Sequence, residues 1–172
     1  MSTMLHDDAR RLRALLDQTT PGRWHLKRHA EGDVFVEPHG HRSEAPVTMT
    51  LIGATDGDAA FVAHARSDAA FVIDLFRQGA SVPGDHRARL EEILDRCAAA
   101  APPPWTSFVE GRDHVSGSDM IARDTGDDDH DDLEIVGASA ADLDFIATAR
   151  HDLVQVARRL CYIPRPLRSL DG

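Results

Sequence analysis

Cysteine is nearly missing from this chain. Two thiols in 172 residues, Cys97 and Cys161, exclude a disulfide framework. Aromatic residues are also scarce, at 5%, too few for the stacking platforms on which single-stranded nucleic acid lies. No apolar run approaches the roughly 18 residues that span a bilayer. The first residues, MSTMLHDDARRLRALL, carry acids and lack the apolar stretch of a secretory signal. There is no phosphate loop, dinucleotide fingerprint, H-E-x-x-H or nucleophile elbow. Ten histidines include the close pairs His25/His29 and His39/His41, but no compact third ligand accompanies them. The expectation is a cytoplasmic protein with reduced thiols, no cofactor and no bound metal.

What the chain does have is a repeat. GATDGDAAFVAHARSD (Gly53 to Asp68) returns as GASAADLDFIATARHD (Gly137 to Asp152), aligning Phe61 with Phe145, Arg66 with Arg150 and Asp68 with Asp152. A tryptophan preceded by a proline-containing turn stands upstream of each copy, Trp24 and Trp105. Internal self-similarity fixes architecture before propensity does. Halves of roughly 80 residues lie near the lower limit for an independent core, so the expectation is two tandem pseudo-repeats sharing one core. These are residues 1–79 and 80–163, followed by a tail over 164–172.

Each half reads as helix, three short strands, helix. The first helix is expected over about Asp7 to Gln18 and the third over about Asp85 to Ala100, each with an apolar stripe. Strands are expected at Trp24–Lys27, Val34–Glu37, Val47–Ile52, Trp105–Glu110, Asp119–Arg123 and Leu133–Val136. Thr55 with Asp58, and Ser139 with Asp142, carry the S/T-x-x-D/E spacing of a capping box before the second and fourth helices. The fold class is α+β, with an antiparallel sheet flanked by helices.

Helical spacing puts Asp68 and Asp152 on or beside the apolar stripe, where a carboxylate needs partners. A structural hydrogen bond, from the tryptophan N–H or a loop amide, is the expected partner. The alternative is an acidic pair across a pseudo-twofold, forming a catalytic or metal site. In the second half alone, EGRDHVSGSD (Glu110 to Asp119) gathers Glu110, Asp113 and His114. These three supply the alternative reading of the chain as a small hydrolase, although triads are defined by geometry rather than proximity.

Charge is unevenly placed. Residues 110–145 hold twelve acids against Arg112 and Arg123, which accounts for the whole formal net charge of −10. Asp127-Asp128-Asp129-His130-Asp131-Asp132 lacks the glycine and distal glutamate of a calcium loop. Such a stretch repels nucleic acid and anionic membrane and attracts a basic protein.

TPGRW, FVEGRDHVSGSDMI and LEIVGASAADLDFIATARHDL resemble a pattern in small bacterial and phage-associated proteins, including Ead-like phage accessory proteins. The resemblance covers most of the second half, and the first half through its tryptophan and helix. It implies a family label and transfers no catalytic residue. Where that pattern reads TPGPW, the second half reads Pro102-Pro103-Pro104-Trp105, which implies a changed turn.

The sequence therefore points to a non-enzymatic, acidic protein-binding module, such as an immunity protein neutralising a toxin or a phage-type accessory factor. Its contacts are expected at Asp113, Asp119, Asp127, Asp128, Asp129, Asp131 and Asp132. A structural homodimer is a further alternative. Neutralising Asp127 to Asp132 is expected to weaken binding of a basic partner and flatten its salt dependence. Unchanged affinity in a salt series would refute this.

Overall fold

A computed structural model describes residues 3–28, 34–39, 48–79, 82–123 and 132–162, with backbone alone over 3–5 and 34–39. The elements run α1 (Thr3–Leu16), β1 (Arg23–Arg28), β2 (Val34–His39), β3 (Met49–Ile52), α2 (Asp56–Gln78), α3 (Gly84–Ala99), β4 (Trp105–Phe108), β5 (Met120–Arg123), β6 (Leu133–Val136) and α4 (Ala140–Cys161). The order helix, three strands, helix thus occurs twice. The strands form one antiparallel six-stranded sheet in the order β1-β2-β3-β6-β5-β4. Leu51 faces Ile135 where β3 and β6 meet, and these two positions are separated by the same interval as Phe61 and Phe145. The architecture is α+β, and one hydrophobic cluster draws side chains from both halves of the chain. Among the described residues no helix is long and apolar enough to cross a membrane. The tail over 164–172 lies outside the described residues.

Several element boundaries differ from those the sequence predicts. The first helix is shifted toward the N-terminus, and the third begins and ends one residue early. The fourth strand stops at Phe108 rather than Glu110. Its next two amides leave the ladder: Val109 N–H donates to Asp113 (2.9 Å) and Glu110 N–H to Asp119 (2.6 Å). Between tryptophan and terminal helix the second half is longer, and register locates the difference. Trp105 pairs with Arg123 and Trp24 with Pro38, so the β4–β5 hairpin carries four more residues than the β1–β2 hairpin. The connection from β5 to β6 is one residue shorter than that from β2 to β3. The net gain of three is therefore mostly the EGRDHVSGSD hairpin.

Reciprocal contacts tie the halves together. Thr55 and Asp58 close a capping box on α2, and Ser139 and Asp142 close one on α4. Each acid also reaches into the other half: Asp58 accepts Ala101 N–H (2.8 Å), and Asp142 accepts Thr20 N–H (2.7 Å). Those residues precede the tryptophans. Trp24 stacks edge-on against Phe145 and Trp105 against Phe61, with centroids 6.1 and 5.4 Å apart, a favoured geometry for aromatic pairs. Gly53 and Gly137 leave β3 and β6 at φ +77° and +88°, the left-handed region that glycine alone enters without strain. A Cβ on either would come within 2.8 or 2.4 Å of a backbone carbonyl of the opposite half, Asp132 or Thr48.

The repeated Arg-x-Asp divides its labour. Arg66 donates to Thr19 Oγ1 and the Gly22 carbonyl, and Arg150 to the carbonyls of Ala100 and Ala101. Both arginines thereby hold the loop before a tryptophan. The aspartates are ion-paired: Asp68 with Arg96 (3.2 Å), and Asp152 with Arg11 through two bonds of 2.7 and 2.6 Å. This corrects the expected bond from the tryptophan N–H. That donor is satisfied locally, by the Thr20 carbonyl for Trp24 and the Ala101 carbonyl for Trp105. Nor do Asp68 and Asp152 form an acidic pair, since each faces an arginine of a different helix.

Burial raises the Asp68 carboxyl above its ordinary value, outweighing the pull of Arg96. A carboxyl raised on folding stabilises the fold in its protonated form. That contribution is complete below the unfolded value of about 3.9 and is lost as pH rises through the folded one. Asp68→Asn should lack this loss, so its stability relative to wild type should increase as pH rises from about 4 toward neutrality. Denaturant unfolding across that range measures it, and a pH-independent difference would refute the assignment.

Candidate interface on the open sheet face

Strand alternation decides which side of the sheet is covered. Trp24, Leu51, Trp105, Ile121, Leu133 and Ile135 point into the core. Their neighbours point the other way, to a face that no described helix covers. Across that face the register aligns Ile52 with Glu134, Glu134 with Met120, and Met120 with Phe108. Val136 lies one step along, opposite Thr50. Ile52, Val136 and Phe108 are 49%, 47% and 36% exposed. An antiparallel sheet open to water on one side ordinarily shows polar residues there; here three large apolar side chains stand together around one glutamate. A shallow cavity of about 290 Å³ opens at the edge of this row, lined by Ile52, Met120, Ser118, Asp132 and Glu134.

The hairpin over 109–119 stands at the end of the same face and is braced from within. Arg112 grips Asp144 of α4 through Nη1 (2.7 Å) and Nη2 (2.9 Å), while its Nε donates to Asp113 (2.9 Å). Ser107 Oγ also donates to Asp144 (2.5 Å). Such forked arginine–carboxylate pairs are the stronger kind of ion pair. The Arg112 bond holds Asp144 below its usual range, and it does the same for Asp113 with help from Val109 N–H.

The sequence-predicted residues consequently have different standing. Asp113 and Asp119 are engaged in shaping the hairpin. Asp132 borders the cavity on the open face, whereas Asp127, Asp128, Asp129 and Asp131 lie outside the described residues. Glu110 and His114 meet at an isolated backbone bridge within the hairpin. The Asp113 carboxylate faces Arg112, and His114 Nδ1 faces the Ser116 carbonyl (3.2 Å). His114 Nε2 is buried without a hydrogen-bond partner among the described residues. Among those residues no group of three histidine, cysteine or acidic side chains is placed to hold a metal ion. Sequence reasoning missed Ile52, Phe108, Val136 and Glu134. The available signal was an apolar residue at the outward position ending three strands, MTLI, WTSF and LEIV.

Removing the guanidinium tests the brace. In Arg112→Ala the Asp144 carboxyl should titrate at a higher pH, followed by carbon-detected NMR. A carboxyl depressed on folding contributes stability above its unfolded value and loses it as pH falls, so the variant should show a weaker acid-side decline. An unmoved Asp144 titration would refute the role given to Arg112.

No family model matches the chain, and searches of curated proteins and of solved structures return no match.

Proposed function

We propose that this chain is a non-enzymatic protein-binding module whose open sheet face engages a basic protein surface. The observation that carries the reading is the cross-strand row Ile52, Glu134, Met120 and Phe108. Apolar side chains gathered on an uncovered face mark interaction sites in soluble proteins. The acids Glu134 in the row and Asp132 beside it supply charge that speeds encounter with a cationic partner and sets its specificity. An immunity protein against a basic toxin, or a phage-type accessory factor, is the setting we propose for it. A small hydrolase built on Glu110, Asp113 and His114 is the alternative reading.

We further propose that the two helix–strands–helix runs are copies of one duplicated unit. Matched capping boxes, matched tryptophan–phenylalanine pairs and matched loop-holding arginines support this. Under that reading the binding function is a specialisation of the second copy, which carries the longer hairpin and the excess acid.

The test is a variant with the apolar row made acidic, Ile52→Asp with Phe108→Asp. Both side chains are partly exposed, so the fold should tolerate the change. The basic protein that co-purifies from the native cell should bind this variant at least about tenfold more weakly, a loss of roughly 1.4 kcal/mol. Full affinity in the variant, or the absence of any basic partner, would sink the proposal. Concentration-dependent mass in sedimentation, abolished by the same variant, would replace it with self-association.

A further inference from the structure

On the helical side of the molecule, α3 and α4 enclose a cavity of about 150 Å³. That is about ten times what one water-sized group requires. Its polar wall carries two cations, Arg150 and Arg158, beside His151 and Gln155, and its apolar wall includes Leu94, Ala98 and Val154. Among the described residues no carboxylate lines it; Asp152, 3.0 Å from His151 Nδ1, is itself bound to Arg11. Arg150 is 5% exposed. Its Nε and Nη2 donate to the carbonyls of Ala101 and Ala100, while Nη1 has no hydrogen-bond partner among the described residues. Neutral carbonyls satisfy its donors, and the acid whose charge it feels, Asp58, is already bound to Arg123, so this buried cation has no carboxylate of its own, a costly arrangement.

The first half carries different charges at the corresponding positions. Leu12 and Leu16 of α1 occupy the places of Ile93 and Cys97 in α3, all four buried. The same alignment sets Asp17 at the place of Ala98 and Arg13 at that of Leu94. Along α2 and α4, Asp74 stands where Arg158 does. In the first half Arg13 binds Asp17 at 2.9 Å and feels Asp74 as well. In the second half both acids are gone, one replaced by alanine and the other by arginine. Cationic charge has been concentrated in a cavity of the more acidic half of the chain.

We propose that this cavity binds a small carboxylate carrying a short aliphatic chain. The carboxylate accepts from Arg150 Nη1 and from the Arg158 guanidinium, and the chain lies along Leu94, Ala98 and Val154. Arginine matches carboxylate geometry, and a site with apolar walls and few polar groups fits such a ligand. A phosphate could take the same two arginine donors, but its remaining charged oxygens would lose hydration against the apolar wall. The cavity belongs to the helical layer and is independent of the proposed sheet interface.

The full chain, labelled with ¹⁵N, is titrated with butyrate and separately with inorganic phosphate. Butyrate should give saturable shifts at the amides of Leu94, His151 and Val154, and phosphate should bind at least about tenfold more weakly. Ala98→Asp with Arg158→Asp restores the acids of the first half at two exposed positions. It should weaken butyrate by about tenfold or more with an unchanged thermal midpoint. Should that variant fold poorly, Arg158→Gln removes the rim cation alone and should also weaken butyrate. No saturable shift, equal binding of phosphate, or undiminished butyrate binding in a folded variant would overturn the proposal.

Discussion

Everything in this fold leans on two fully buried carboxylates, Asp58 and Asp142. A carboxylate inside a protein survives only if its lone pairs are filled. Asp58 takes the Thr55 N–H and hydroxyl, the Ala101 N–H and an Arg123 donor. Asp142 takes the Ser139 N–H and hydroxyl, and the Thr20 N–H and hydroxyl. One anchor is therefore an ion pair and the other is held by neutral donors alone. Each starts a long helix and pins the loop that positions a tryptophan of the opposite half. Because the same atom cluster sets helix, loop and aromatic contact, the two layers cannot be adjusted separately.

How much of this the sequence discloses depends on the range of the interaction. The capping boxes are legible because their donors and acceptors lie three residues apart. The second task of the same acids is not, since Ala101 and Thr20 come from distant chain. Strand cores are legible from β-prone residues, but the end of β4 is set by Asp113 and Asp119 diverting two amides. The ion pairs of Asp68 and Asp152 are hidden for another reason. With the helices aligned on their buried residues, Arg96 occupies the place of Leu15 and Arg11 that of Glu92. The role is kept while its bearer moves by about a turn. The open face was obscured by brevity: in four-residue strands such as MTLI and LEIV, an outward isoleucine or valine reads as more core.

The distribution of charge has a structural logic. The acid excess is concentrated in residues 110–145 of the second half. Arg112 offsets part of it by clamping Asp113 and Asp144. The helical layer of the same half is nearly balanced, with the acids and arginines of α3 and α4 interleaved, but two of its arginines, Arg150 and Arg158, converge on one cavity.

The junction of β3 with β6 sets the order in which the chain becomes a protein. Leu51 leaves the ribosome long before Ile135, and contacts of such separation form slowly because a large loop must close first. Until β6 arrives, β3 is a bare sheet edge. Bare edges of this kind are where chains associate wrongly. The last strand to be made is therefore also the one that covers the edge of β3.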